Sequence, residues 1–208
     1  MKGRTMKIYV IGDSISIQYG PHLQKYLSGA IEYSRKEGEE EALLNLDNPV
    51  GANGGDSSMV LSFLKAKAKA GGIDADLLLL NCGLHDIKTN PKTGEKQISF
   101  ENYKKNLKEI VSVVSKMKPK LVWIRTTPCD EKVHNSRPNM EFHRFSADCT
   151  KYNSTADKIM KEAGVPVIDL YTFTANLGKD IYCDHVHFHE HIREKQAAFI
   201  AGWLNNFS

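Results

Sequence analysis

Hydrophobic and polar positions follow two rhythms along this chain. Lys7 to Ile11 is a short apolar run with β-branched and aromatic residues, closed by Gly12-Asp13, and it predicts a strand feeding a turn. Leu23, Tyr26, Leu27 and Ile31 recur at helical spacing and predict a helix over 21–37. The acidic segment Glu37 to Glu41 reads as solvated chain, 43–50 as a weak strand, 51–56 as a Gly-rich turn and 57–70 as a helix. Asp76 to Cys82 is continuously apolar in its centre, the pattern of a strand buried on both faces. Tyr103, Leu107, Ile110, Val111, Val114 and Met117 then mark an amphipathic helix over 100–117. A strand is predicted over 121–124, no period over 128–145, a helix over 152–164, a strand over 165–170 and a final helix over 190–204. Strands thus alternate with helices about five times, which predicts a three-layer α/β/α fold around a mostly parallel sheet.

Composition narrows the picture. The 208 residues suit one domain spanning 1–208 and bury a core without disulfides or metals. With 41% apolar and 25% charged residues, the chain has ordinary globular composition. A net charge of +3 on scattered lysines gives no reason to expect nucleic acid as a partner. Lys65, Lys67 and Lys69 read as the solvated end of a helix stopped by Gly71-Gly72. Cys82 reads as a small buried hydrophobe; no CxxC occurs, and one disulfide among Cys129, Cys149 and Cys183 is left open. No apolar stretch reaches the length of a membrane span, and the first ten residues do not make a signal peptide. A cytoplasmic protein is the expectation, although a secreted chain with its leader removed would look the same. Nothing in the sequence indicates an oligomeric state.

The candidate chemistry lies at strand ends. A parallel sheet puts the C-terminal ends of its strands on one edge, where ligands of open α/β folds bind. Gly12-Asp13-Ser14 follows the first predicted strand, Asn53-Gly54-Gly55-Asp56 the second, Gly83-Leu84-His85-Asp86 the third, and Asp184-His185-Val186-His187 comes after the fifth. Ser14 would stand at a strand-to-helix turn, its N–H favouring negative charge. A serine needs a base, and His187 can serve, with Asp184 accepting its other ring N–H. Gly55 would offer a second backbone N–H, or Gly54 if the turn is shifted by one; Asp13 and Asn53 read as turn-holding residues.

These four blocks resemble the SGNH (GDSL-type) hydrolase superfamily. Gly12-Asp13-Ser14-Ile15 is close to the GDSL form, and Asp184-x-x-His187 matches the family's C-terminal block in order and position. The resemblance spans nearly the whole chain. It implies a flavodoxin-like fold with a five-stranded sheet, ester hydrolysis without metal or other cofactor, and an oxyanion hole formed by the Ser14 N–H, the Gly55 N–H and an asparagine side chain. The third block departs from the family, with His85 where asparagine is expected. A neutral imidazole still has one N–H to give, and Asp86 is a candidate to fix its tautomer. Asn81 is a poorer substitute because it falls within the strand run.

The resemblance also bears on substrate. Family members act on acetylated carbohydrates, lysophospholipids, thioesters and simple esters. The Asn-Gly-Gly-Asp-Ser-Ser arrangement resembles the carbohydrate acetylesterases, so a small-molecule or glycan ester is the expected substrate. Two alternatives stand beside this: a non-catalytic carbohydrate-binding relative disabled by His85, and a metal protein built on His185, His187, His189 and His191, which would share one face of an extended strand. The helix predicted from Glu190 breaks that alternation, leaving His189 and His191 as surface residues and no metal site expected. The stretch 128–145, with Asp130, His134, Arg137, Phe142, His143 and Arg144, reads equally as a pocket wall or a surface excursion.

Overall fold

The structure, a computed structural model, describes residues 4–138 and 140–207. Five parallel strands, β1 (Met6–Ile11), β2 (Ile31–Arg35), β3 (Leu77–Leu80), β4 (Lys120–Ile124) and β5 (Val167–Ile168), form one sheet in the order β2-β1-β3-β4-β5. Every residue of β3 is buried, as its unbroken apolar run requires of a central strand covered on both faces. In register, Val10 of β1 lies between Arg35 and Leu79.

Among the described residues, eight helices connect and cover the strands: α1 (Ser14–Leu27), α2 (Glu39–Leu44), α3 (Ser57–Lys69), α4 (Phe100–Val114), α5 (Glu131–Ser136), α6 (Ser146–Glu162), α7 (Leu170–Ala175) and α8 (Glu190–Asn205). Their packing falls into two groups, α8 with α1 and α7, and α4 with α3 and α6. These are the two helical layers of the predicted α/β/α fold. The chain leaves β1 first toward β2, then returns to lay β3 on the other side of β1. That reversal makes the C-terminal ends of β1 and β3 the topological switch point, the edge where open α/β folds are expected to form their crevice.

Several boundaries differ from expectation, each for a local reason. The helix predicted over 21–37 begins at Ser14, because Asp13 caps it; Pro21 lies inside it rather than at its start. It ends at Leu27, the chain turns at Gly29 with φ +83°, and Ile31–Arg35 pairs with β1 as a strand. The strand expected over 43–50 is absent. Three glutamates in the first turn suit the positive end of a helix dipole, and the chain forms α2 there, leaving Leu43 and Leu44 exposed. The helix expected from 152 starts at Ser146, the strand over 165–170 shrinks to two residues, and Leu170 opens α7 under an Asp169 cap. All four cysteines are free thiols. Among the described residues, no helix is long and apolar enough to cross a membrane.

Candidate active site

The turn after β1 is tight. A Cβ on Gly12 would stand 2.8 Å from Ser16 Cβ, so only glycine fits. Asp13 Oδ1 accepts the Ile15 amide at 3.0 Å and so caps α1, the turn-holding role its position suggested. Ser14 is the first residue of the helix, where a backbone N–H has no partner within the helix.

The opposite end of the chain brings the candidate base. A short hairpin before α8 is closed by the Cys183 amide donating to His187 O at 2.9 Å and the His189 amide donating to Ile181 O at 3.0 Å. At its tip Asp184 Oδ1 accepts the amides of Val186 (2.8 Å) and His187 (2.7 Å). Asp184 Oδ2 is 2.7 Å from His187 Nδ1, and His187 Nε2 is 3.0 Å from Ser14 Oγ. Burial alone would raise the Asp184 carboxyl. The His187 ring N–H and the two amides outweigh it and hold the carboxyl well below the usual carboxylate range. An ionised Asp184 can only accept, so His187 carries its hydrogen on Nδ1. A neutral His187 then turns a bare Nε2 toward the serine hydroxyl. Such a chain can draw a proton off Ser14 and hold the imidazolium that results.

The glycine block sits against the same turn. The Gly54 amide donates to Gly12 O at 2.8 Å, which removes it as an alternative oxyanion donor. Gly55 has φ +69°, and a Cβ there would come within 2.5 Å of Met59 Sδ. Its amide is not idle, because it donates to Asn53 Oδ1 at 3.0 Å. Asn53 thus holds the donor expected of Gly55.

His85 is buried beside the crevice, and burial first, then the charges of Lys88 and Arg144, hold its pKa well below the ordinary histidine value. It is therefore neutral, with one N–H. Its ring makes no hydrogen bond among the described residues. Asp86 does not fix its tautomer as expected. Both Asp86 oxygens accept the Ser57 amide, at 3.0 and 3.1 Å, at the start of α3. Asn81 is likewise committed, donating to Ile124 O and Thr126 Oγ1.

Asp86 carries a testable consequence. Burial pushes its carboxyl up to about 8, against the Ser57 hydrogen bonds, which favour the charged form. Between the ordinary value of about 4 and about 8, the folded state holds a proton that the unfolded state releases. Stability is therefore expected to fall as pH rises through that window, by up to ~1.4 kcal/mol per pH unit. Urea titrations from pH 5 to 8 should show that slope in the wild type and a flatter one in Asp86→Asn.

The described part of the irregular stretch 128–145 contains α5 and packs against the turn after β3 and the C-terminal hairpin. Buried Arg144 donates from Nε to Leu84 O at 2.9 Å, and buried His134 meets His185. Of the four alternating histidines only His185 and His187 are buried; His189 precedes α8 and His191 is exposed on it. Asp47, which contacts His185, escaped notice because it fell in a segment read as a strand. Its Asn45-x-Asp47 turn chemistry was the available signal.

Residues 10–192 match the sequence profile of the GDSL-like Lipase/Acylhydrolase family. The chain belongs to that family. As a GDSL-like acylhydrolase it is an ester hydrolase. Solved structures agree on the fold. A lipase/acylhydrolase from Enterococcus faecalis superposes with a TM-score of 0.72 at 15% identity, covering 97% of this chain and 96% of that one. A carbohydrate acetylesterase from Sinorhizobium meliloti gives 0.64 at 14%, covering 98% and 100%. An aryl esterase from M. smegmatis gives 0.64 at 15%, covering 97% and 99%. No curated protein matches this acylhydrolase in sequence.

Proposed function

We propose that this acylhydrolase is a serine esterase acting through Ser14, His187 and Asp184, with short acyl esters of polar alcohols, O-acetylated sugars among them, as its substrates. The continuous path from Ser14 Oγ to His187 Nε2 (3.0 Å) and from His187 Nδ1 to Asp184 Oδ2 (2.7 Å) is the observation that carries this reading. Ser14 attacks the ester carbonyl while His187 Nε2 takes the hydroxyl proton. The tetrahedral oxyanion accepts the Ser14 N–H at the positive end of α1 and the N–H of His85. The Gly55 N–H contributes by turning from Asn53 Oδ1 to the stronger charge. His187 then protonates the departing alcohol and deprotonates the water that releases the acyl group.

The surroundings favour a small, polar ester. A cleft of about 530 Å³ beside Asp184 and His185 carries Asp130, Arg137, Lys179 and Asp180 as well as the apolar Val133, and the charged groups can hydrogen-bond a polar alcohol. The likeness to the S. meliloti carbohydrate acetylesterase points the same way. Rates on 4-nitrophenyl acetate and decanoate, and acetate release from an acetylated sugar, test this. Preference for the acetates is expected; preference for the decanoate would favour a lysophospholipase- or thioesterase-type enzyme instead.

His85 allows a sharper test. Its replacement by alanine should lower kcat on the order of 10²–10³ with little change in KM, the usual cost of one oxyanion donor. His85→Asn, which restores a side-chain N–H, should recover most of it. An unchanged kcat in the alanine variant would remove His85 from the oxyanion hole.

A further inference from the structure

Beside the proposed triad stands a second set of imidazoles that ester hydrolysis does not use. His134 and His185 are both buried, with their Nδ1 atoms 2.5 Å apart. Hydrogen-bond sign fixes their tautomers. His134 Nε2 lies 3.2 Å from the Phe142 carbonyl, which can only accept, so Nε2 carries the hydrogen. In the neutral ring this leaves His134 Nδ1 bare. His185 Nδ1 must therefore donate to it. That leaves His185 Nε2 facing the Asp47 carboxylate, with 3.4 Å between Nε2 and Oδ2. A neutral His185 with its single hydrogen already spent turns a lone pair toward an anion there. The contact calls for a positive charge between the two atoms, either a proton or a metal ion.

His187 completes a set. One ligand atom each from Asp47, His185 and His187 lie within 4.8 Å of one another. Zinc bonds imidazole nitrogen at ~2.0–2.1 Å and carboxylate oxygen at ~2.0–2.2 Å, so a tetrahedral ion holds two such ligands roughly 3.4 Å apart. Asp47 and His185 already stand at that separation. Two imidazoles and one carboxylate suit zinc, whereas calcium and magnesium want more oxygen ligands.

We propose that Asp47, His185 and His187 form an inhibitory zinc site. In the tautomer set by Asp184, the bare nitrogen of His187 is Nε2, so the ion takes the lone pair that Ser14 needs for activation. Binding displaces any proton from His185 Nε2, and the enzyme stays silent until the ion leaves. The inhibition rests on the reading of His187 as general base; the binding does not.

Titration with Zn²⁺ alone, followed by calorimetry and by competition with a chromophoric chelator, tests the site without turnover. Wild type is expected to take up one ion per chain. Asp47→Asn and His185→Gln should each bind about tenfold or more weakly, at least the loss typical of weakening a metal site's support. Asp47 is half-exposed, so its variant carries the test if His185→Gln does not fold. Ser14→Ala should bind zinc at least as tightly as wild type, because no hydroxyl competes for Nε2. On 4-nitrophenyl acetate, zinc should inhibit wild type reversibly with EDTA, while the Asp47 and His185 variants, each measured against its own zinc-free rate, lose the inhibition. Absence of saturable uptake, or uptake without inhibition of an active wild type, overturns the proposal. Equal affinity in both variants also overturns it and assigns the ion to surface histidines such as His189 and His191. If Ser14→Ala still hydrolyses at the wild-type rate, the triad reading fails while the titration still judges the site.

Discussion

Ser14→Ala is expected to lower kcat for an aryl acetate by on the order of 10⁴–10⁶ while leaving the fold intact, the scale on which removal of a triad nucleophile acts. The side chain is small and lies at the first position of α1, where Asp13 rather than Ser14 supplies the cap. The substitution removes one hydroxyl and its 3.0 Å contact with His187, and no backbone hydrogen bond depends on that hydroxyl. Far-ultraviolet circular dichroism and the urea midpoint should therefore stay near wild type. A fluorophosphonate should label the wild type at Ser14 and leave the variant unmodified, as read by peptide mapping. His187→Ala should cost nearly as much, and the double variant little more, because nucleophile and base act as one unit. Rapid hydrolysis by Ser14→Ala, or labelling of another residue, would end the serine mechanism.

What the sequence revealed of this site follows from how each part is encoded. Ser14, Asp184 and His187 belong to turns whose residues are also their proposed chemistry: glycine for the close approach, aspartate for the cap, three residues from Asp184 to His187. β3 was equally plain, because a strand covered on both faces needs no partner to reveal its pattern. The second strand was missed because Ile31 to Arg35 is short and lies on the sheet edge. Its alternating burial there depends on β1 and not on its own composition. The same holds for Asp47, and for the choice between pocket wall and surface excursion at His134 and Arg144, because their contacts come from long-range packing. Local periodicity says nothing of such residues. Nor could sequence say that the Gly55 amide is engaged by Asn53, or that Asp86 serves α3 instead of His85.

Asp184→Asn is the second large effect, and the turn geometry predicts how it arises. The Oδ1 atom accepts two backbone amides, and an asparagine oxygen can keep both. The other position must then be the NH₂ group, which faces His187 Nδ1 where Oδ2 had been, 2.7 Å away. Two donors cannot share that contact, so His187 shifts its hydrogen to Nε2 and accepts from the amide through Nδ1. Nε2–H now faces Ser14 Oγ and can no longer take its proton. A loss in kcat of on the order of 10⁴ is expected, with the hairpin preserved. Fluorophosphonate labelling of Ser14 should slow in parallel, because it draws on the same deprotonation. Asp184→Ala separates tautomer from turn: it also strips the acceptor from the Val186 and His187 amides, so its urea midpoint should fall where that of the asparagine variant holds. Because the wild-type carboxyl is held below its ordinary range, its contribution to stability is present above about pH 4 and lost on acidification. The asparagine variant should lack that dependence. Activity of Asp184→Asn within about tenfold of wild type would mean that His187 takes its tautomer from something other than Asp184, and the proton path from Ser14 would have to be redrawn.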